Sequence, residues 1–244
     1  MKVWAVLLAA GRGERFGGTE NKIFRQIGAR SVLERSVAVF ANHSKIDGLL
    51  IVAGHDDADR VERLMGEAFP DQNIPVVNGG KTRQESALIG LLAVREKWIR
   101  DRHVQVERRI VLLHDAARCL VSPELITAMI HVIAEQHCGA APAIPVTDTI
   151  RLTDEDGRTV RKTLPRRRLV AMQTPQGADF DVMLRAASIA AEAETESGVT
   201  DDIELLMRIG YPVKLIKGEK NNIKITTPGD LLIAKAIIGG ELDK

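Results

Sequence analysis

Val3-Trp4-Ala5-Val6-Leu7-Leu8-Ala9 runs straight into Ala10-Gly11-Arg12-Gly13-Glu14-Arg15-Phe16-Gly17-Gly18, and Lys22 follows a few residues on. Seven apolar residues without alternation have the length of a strand and the composition of one buried on both faces. The glycines that follow allow a tight turn and bring backbone N–H groups toward an anion, while Arg15 and Lys22 supply charge that a neutral loop lacks. A buried strand ending in a polyphosphate loop is the opening unit of an α/β fold. Working outward, similar apolar runs recur at 49–53, 74–77, 110–113, 140–144, 169–172 and 213–216, with helix-period segments at 31–41, 58–69, 82–94, 123–137 and 180–194. Strands interleaved with amphipathic helices predict a doubly wound α/β fold, a mainly parallel sheet covered on both faces.

Two stretches interrupt this rhythm. Residues 95–109 are rich in charge around Trp98 and read as a solvated helix extension or loop. Residues 148–168 place Ile150-Arg151-Leu152 and the run 158–164 on either side of Asp154-Glu155-Asp156-Gly157, which is a hairpin signal. A hairpin between two sheet strands has no room inside the sandwich, so it is expected to project as an arm. No repeat or long linker divides the chain, which predicts one domain over 1–244 with the arm at 148–168 inserted in it.

Composition narrows the function. The 244 residues carry 34 basic and 33 acidic side chains, a net charge of +1, so no overall field would hold nucleic acid or a membrane surface. Aromatics at 3% leave no stacking platform for single-stranded nucleic acid. No apolar window reaches the roughly 18 residues of a membrane span and the first residues lack a signal-peptide core, so the expected location is the cytoplasm. Cys119 and Cys138 fit no metal-ligand spacing and are expected as reduced thiols.

Each candidate motif has a plain reading beside the functional one. The first loop is neither a dinucleotide fingerprint, because Phe16 stands at the third glycine position, nor a P-loop, because no Gly-Lys-Ser/Thr follows the second glycine. At the end of the fourth strand, His114-Asp115-Ala116-Ala117-Arg118 puts an acid and an arginine where open α/β sheets bind ligands; a salt bridge between Asp115 and Arg118 explains the pair equally well, and His114 reads as a core histidine. In Gly79-Gly80-Lys81-Thr82-Arg83-Gln84-Glu85-Ser86, Thr82 is a helix N-cap and Ser86 a residue able to face base or ribose. The arm carries Arg161, Lys162, Arg166, Arg167 and Arg168, a run that is either solvated or reaches an anionic substrate of another subunit. Thr174-Pro175-Gln176-Gly177 reads as a turn, Thr200 as the cap of a helix with Asp201 and Asp202 in its first turn, and Lys224 as an exposed residue on a late strand.

The order of these motifs, with Asp148-Thr149 and Asn222-Ile223-Lys224 added, resembles the 2-C-methyl-D-erythritol 4-phosphate cytidylyltransferase family over residues 3 to about 238. The resemblance implies a nucleotide-diphospho-sugar transferase-like fold and transfer of a cytidylyl group from CTP, with magnesium held mainly by the CTP phosphates. Arg15, Lys22, Arg166 and Lys224 match the family's catalytic positions; Ala9, Ala10, Gly11, Gly13, Gly79, Ser86 and Ala116 match those around the nucleotide. Asp115, Arg118, Thr149 and Thr200, together with Lys224, match the polyol phosphate pocket, and Arg166 an arm residue that crosses a homodimer. No protein nucleophile is expected, since phosphate attack on phosphate needs alignment and charge stabilisation. Two positions depart from the pattern: Asn21 and Cys119 stand where the family usually has proline, which removes a backbone restraint beside Lys22 and beside Arg118. The nearest alternative is ribitol 5-phosphate cytidylyltransferase, which tends to have Ser-Val at Ala116-Ala117; a nucleotide-binding scaffold without activity is disfavoured by Arg15, Lys22 and Lys224 together.

Overall fold

The computed structural model describes residues 1–11, 13, 16, 20–100, 108–193 and 199–242. Its strands in chain order are β1 (Lys2–Ala9), β2 (Gln26–Ile27), β3 (Arg30–Ser31), β4 (Gly48–Ala53), β5 (Val76–Asn78), β6 (Arg109–Asp115), β7 (Gly139–Pro145), β8 (Arg151–Thr153), β9 (Val160–Thr163), β10 (Val170–Met172), β11 (Gln176–Asp179) and β12 (Val213–Lys217). The helices are α1 (Val32–Ala41), α2 (Ala58–Ala68), α3 (Arg83–Arg100), α4 (Pro123–Gln136), α5 (Phe180–Glu192), α6 (Asp202–Arg208) and α7 (Pro228–Leu242).

β1 is central, parallel to β4 on one side and to β6 on the other, and β5 extends the sheet beyond β4. Beyond β6, β11 runs antiparallel to both β6 and β7, β10 continues antiparallel along β7, and β12 joins β7 in parallel. The sheet is therefore mainly parallel, as expected. Alternate residues of one strand serve opposite layers. Val3, Ala5, Leu7 and Ala9 pack with Leu33, Phe40, Val61 and Ile130 of α1, α2 and α4. Val6 and Leu8 pack with Leu91 of α3, Met183 of α5 and Leu206 of α6. Each fully buried large aliphatic side chain contributes about 1.5–3 kcal/mol of transfer free energy, so the continuous apolar runs are what two covered faces require.

Local signals set several helix starts. Ser31 and Glu34 form a reciprocal capping box at α1, Ser122 caps α4 with Pro123 in its first turn, and Thr82 Oγ accepts from Glu85 N–H at α3. The helix extension read for the stretch after 94 is present as far as Arg100, though it is not wholly solvated: Trp98 stacks edge-on between Trp4 and Phe180, at ring-centroid distances of 6.0 and 4.4 Å. Three expectations need correction. Residues 174–177 are not a simple turn, because after a cis Thr174–Pro175 bond Gln176 opens β11. The N-cap of α6 is Asp201, which accepts from Glu204 N–H, rather than Thr200. Lys224 lies in a loop between β12 and α7 rather than on a strand.

The hairpin of β8 and β9 is present, its turn closing at Gly157 with φ 72°, and Leu152 and Val160 on it are 52% and 61% exposed. Helix α7 and the β2–β3 ribbon were not anticipated from the sequence; Ile27, Val32, Cys119, Ile225 and Ala234 bury a third, smaller cluster between them.

Candidate active site at the carboxyl ends of the strands

The carboxyl ends of β1, β5 and β6 face the same rim of the sheet, and the glycine loop, the start of α3 and the Asp115 segment meet there. Ala116 N–H donates to the Leu8 carbonyl, and Gly79 N–H to that of Ala53, so each strand end is tied to its neighbour. A Cβ on Gly79 would lie 2.7 Å from Ala10 Cβ and 2.8 Å from Ser86 Oγ, so only glycine lets these three segments converge. The Ser86 hydroxyl accepts from Gly80 N–H and donates to the Thr82 carbonyl, and the residue is buried. Its position supports the Gly79-Gly80 loop. Gly13 has φ 69°, a left-handed turn that favours glycine, and the Lys22 stem passes 3.6 Å from where its Cβ would be. The aliphatic part of Lys22 thus lies over the glycine loop. Arg15 lies outside the described residues, as do Arg12, Glu14, Gly17 and Gly18.

Asp115 is the electrostatic centre. Its Oδ1 pairs with Arg83 Nε at 3.1 Å and its Oδ2 with Lys224 Nζ at 2.8 Å. Burial alone would push this carboxyl up, but Arg83, Lys224 and Arg118 together hold it well below the usual carboxylate range, so it stays ionised. Arg83 also grips Asp202 at the start of α6 with two bonds of 2.9 and 2.7 Å. Burial raises Asp202 against the pull of that guanidinium, and Arg83 itself is held charged by the two carboxylates.

The salt bridge imagined between Asp115 and Arg118 is not the arrangement found. Arg118 turns its guanidinium to the carbonyls of Asn222 and Met172, and its own backbone carbonyl accepts from His114 Nε2. The Thr174 hydroxyl accepts from Asp115 N–H, so its proton goes to His114 Nδ1, which fixes a neutral histidine with the hydrogen on Nε2. Full burial brings His114 down to about 4, and the core reading of this residue stands. Gln173 and Asn222 pin the loop that carries Lys224: Gln173 bonds the backbone of Glu219 and Asn222, and Asn222 Nδ2 donates to the Thr174 carbonyl. Among the described residues, Arg118 Nε and Asn222 Oδ1 are buried polar atoms with no partner.

Other sequence-selected positions lie apart from this cluster. Thr200 N–H and hydroxyl turn to Glu204 beside α6. Thr149 and Arg166 are exposed at the base of the arm, where Arg166 donates to the Thr147 carbonyl, and no bond among the described residues ties them to Asp115. Arg83 is the residue that reading the sequence missed. Its partners are 32 and 119 positions away, so no local pattern marks it; the one available hint is an arginine opening a helix directly after Gly79-Gly80.

Asn21 changes the meaning of one departure. Its side chain accepts from Ile23 N–H and donates to the Gly11 carbonyl and to Asp57 Oδ2, so the turn before Lys22 is restrained by hydrogen bonds in place of a proline ring. Cys119, the other departure, is packed in the third cluster, where burial pushes its thiol up to about 11 and keeps it protonated at neutral pH.

Among the described residues, no three His, Cys, Asp or Glu side chains converge as a metal cage, and no helix is long and apolar enough to cross a membrane. The family model for 2-C-methyl-D-erythritol 4-phosphate cytidylyltransferase matches residues 3–240. A relative of that name from Gloeobacter violaceus is 39% identical over 236 residues, 96% of this chain and 95% of its own length. Another from Frankia casuarinae is 36% identical, covering 97% of this chain and 81% of its own. The crystal structure of 4-diphosphocytidyl-2C-methyl-D-erythritol synthase from Anaerococcus prevotii superposes with a TM-score of 0.79 at 29% identity, over 98% of this chain and 96% of that one.

Proposed function

The chain belongs to the 2-C-methyl-D-erythritol 4-phosphate cytidylyltransferase family, and we propose how its own side chains perform that reaction. It transfers the cytidylyl group of CTP to 2-C-methyl-D-erythritol 4-phosphate and releases pyrophosphate, a step of non-mevalonate isoprenoid synthesis. A phosphate oxygen of the polyol phosphate attacks the α-phosphorus of CTP. The new P–O bond forms as the bond to the bridging oxygen of the β-phosphate breaks, and that electron pair leaves with pyrophosphate. The attacking oxygen is already ionised at neutral pH, so the protein must align two anions and stabilise charge on the α-phosphate rather than supply a base.

The observation that carries this reading is the gathering of cations at the strand ends, with Lys224 and Arg83 on Asp115 and the Lys22 stem over Gly13. In this account Ala9, Ala10, Gly11, Gly13, Gly79 and Ser86 shape the nucleotide side and Ala116 stands beside the ribose. Arg15 and Lys22 stabilise the charge that develops on the α-phosphate, and Lys224 acts from the polyol phosphate side, where it pairs with Asp115. Asp115, Arg118, Thr149 and Thr200 border the polyol phosphate, where the partnerless Arg118 Nε and Asn222 Oδ1 favour a polar ligand. Magnesium is assigned to the triphosphate: among the described residues no three His, Cys, Asp or Glu side chains converge as a cage, which suits a cation carried mainly by the nucleotide phosphates. When bound, it would neutralise phosphate charge and help pyrophosphate leave.

The domain is taken as single, with the arm at 148–168 serving a homodimer. Leu152 and Val160 are exposed on a two-stranded ribbon, which is marginal alone and gains from a partner surface. A two-fold pair of arms would bring Arg166 over the neighbouring site. A cytoplasmic location accords with two free thiols, Cys119 and Cys138, both buried. The test is pyrophosphate release from CTP with 2-C-methyl-D-erythritol 4-phosphate and ribitol 5-phosphate supplied separately. The first should be preferred in kcat/KM by well over tenfold, about 1.4 kcal/mol; equal rates or the reverse preference would move the chain to the ribitol 5-phosphate enzymes.

A further inference from the structure

Asn21 uses its whole amide. The oxygen accepts from Ile23 N–H at 3.3 Å, and the nitrogen donates to the Gly11 carbonyl at 3.2 Å and to Asp57 Oδ2 at 2.8 Å. Three segments are joined at one side chain: the glycine loop after β1, the turn Lys22–Phe24, and the start of α2 after β4. Asp57 occupies the N-cap position of α2 yet makes no side-chain cap bond there; its carboxylate faces Asn21 instead. The helix end forgoes a common stabilising contact, so the link to Asn21 is the arrangement this neighbourhood favours. The backbone of Asn21, at φ −62° and ψ 134°, already has the φ of proline.

We propose that Asn21 is a positioning residue for Lys22, a side-chain clamp, anchored by Asp57, that fixes the backbone from which Lys22 reaches across Gly13 toward the transferring phosphate. The proposal rests on the reading of Lys22 given above. The geometry supports it because the Lys22 stem and the Gly11 carbonyl belong to the two segments that Asn21 joins, so losing the amide lets the turn and the glycine loop move independently. A displacement of about 1 Å at a charge-stabilising group is enough to cost on the order of 100-fold in rate.

The test compares Asn21→Ala, Asn21→Pro, Asp57→Ala, the double variant Asn21→Ala/Asp57→Ala and Lys22→Met, measuring kcat, KM for CTP and Tm. Asn21→Ala should lose about tenfold or more in kcat, with KM for CTP changed less than about threefold, since the defect lies in the transition state. Asn21→Pro should recover at least about fivefold of that loss by restoring the restraint through the ring. Asp57→Ala should be impaired in the same direction, and the double variant no worse than Asn21→Ala within about twofold, as expected for one shared interaction. An unchanged kcat in Asn21→Ala, or Asn21→Pro no better than Asn21→Ala, overturns the clamp. Should Asn21→Ala be too unstable to assay, Asp57→Ala at wild-type kcat overturns it equally. Lys22→Met separates the two claims: full turnover there overturns the role of Lys22 and the clamp with it, whereas a dead Lys22→Met beside a wild-type Asn21→Ala overturns the clamp alone.

Discussion

Replacing Arg83 with methionine keeps most of the stem and removes the group that binds two carboxylates from distant parts of the chain. Asp202 is 1% exposed and loses both bonds; Asp115, at 10%, keeps Lys224 as a second cation. Breaking a buried ion pair from one side costs about 3–5 kcal/mol, because a charge is left without compensation. Arg83 is itself 26% exposed, so water screens part of the interaction and the lower end, about 3 kcal/mol, is expected. In a chain of this length that lowers Tm by roughly 6–12 °C. The loss should trace to Asp202: adding Asp202→Asn to Arg83→Met should return at least about 1 kcal/mol, since a neutral amide is cheaper to leave buried than a carboxylate. The pH dependence has a definite sign. Burial already raises Asp202, and without Arg83 it rises further, so lowering the pH protonates it in the folded variant and narrows the stability gap to the parent protein. Urea unfolding at pH 8 and pH 5 measures this as a shift in midpoint at constant m-value. A loss under about 1 kcal/mol, or a gap independent of pH, would refute the assignment of Arg83 as the bridge between β6 and α6.

Acidification should weaken the parent protein early. His114 is held down to about 4 by burial against an ordinary 6.5, so the unfolded chain takes up its proton first, and on the order of 3 kcal/mol should disappear as pH falls from 6.5 toward 4; a flat stability profile over that window, or a ring doubly protonated by NMR at pH 6, would contradict it. Arg15→Ala and Lys22→Ala should each lower kcat far more than KM for CTP, by roughly 2–4 kcal/mol of transition-state stabilisation; unchanged turnover in steady-state assays would remove them from the mechanism. For the arm, mixing inactive Arg166→Ala and Lys22→Ala subunits should restore activity in mixed dimers, each with one intact site. A mixture that stays inactive despite subunit exchange, or an active monomer by light scattering, would return Arg166 to a surface charge.

The sheet was legible because Leu7 and Leu8, or Ile51 and Val52, are neighbours in sequence yet face opposite layers, and only a strand covered on both sides asks for apolar residues at every position. α7 escaped notice for the converse reason. Leu231, Leu232, Ile233, Ala234, Ile237 and Ile238 surround the helix rather than forming one stripe, and Leu232 and Ile233 are 67% and 53% exposed. β11 was hidden behind Thr174-Pro175, whose turn chemistry is real and ends one residue before the strand begins.

At the site, motif and geometry divide the work differently. Asp115 and the glycine loop announce themselves because their positions follow from β-strand ends, which the apolar pattern locates to within a residue or two. What surrounds them is set by tertiary contact. Lys224 read as an ordinary edge lysine until Gln173 and Asn222 were seen to hold its loop against the end of β6. Asn21 read as a lost restraint because a sequence records the missing proline ring and not the three hydrogen bonds that replace it. The same logic applies to charge. With Arg83 and Lys224 both on Asp115, this carboxylate remains ionised, and in the proposed function the cations that hold it stand at the rim where the two phosphate-bearing substrates meet. Fixed charges oriented before the substrates arrive are the form of stabilisation that a phosphoryl transfer without a protein nucleophile requires.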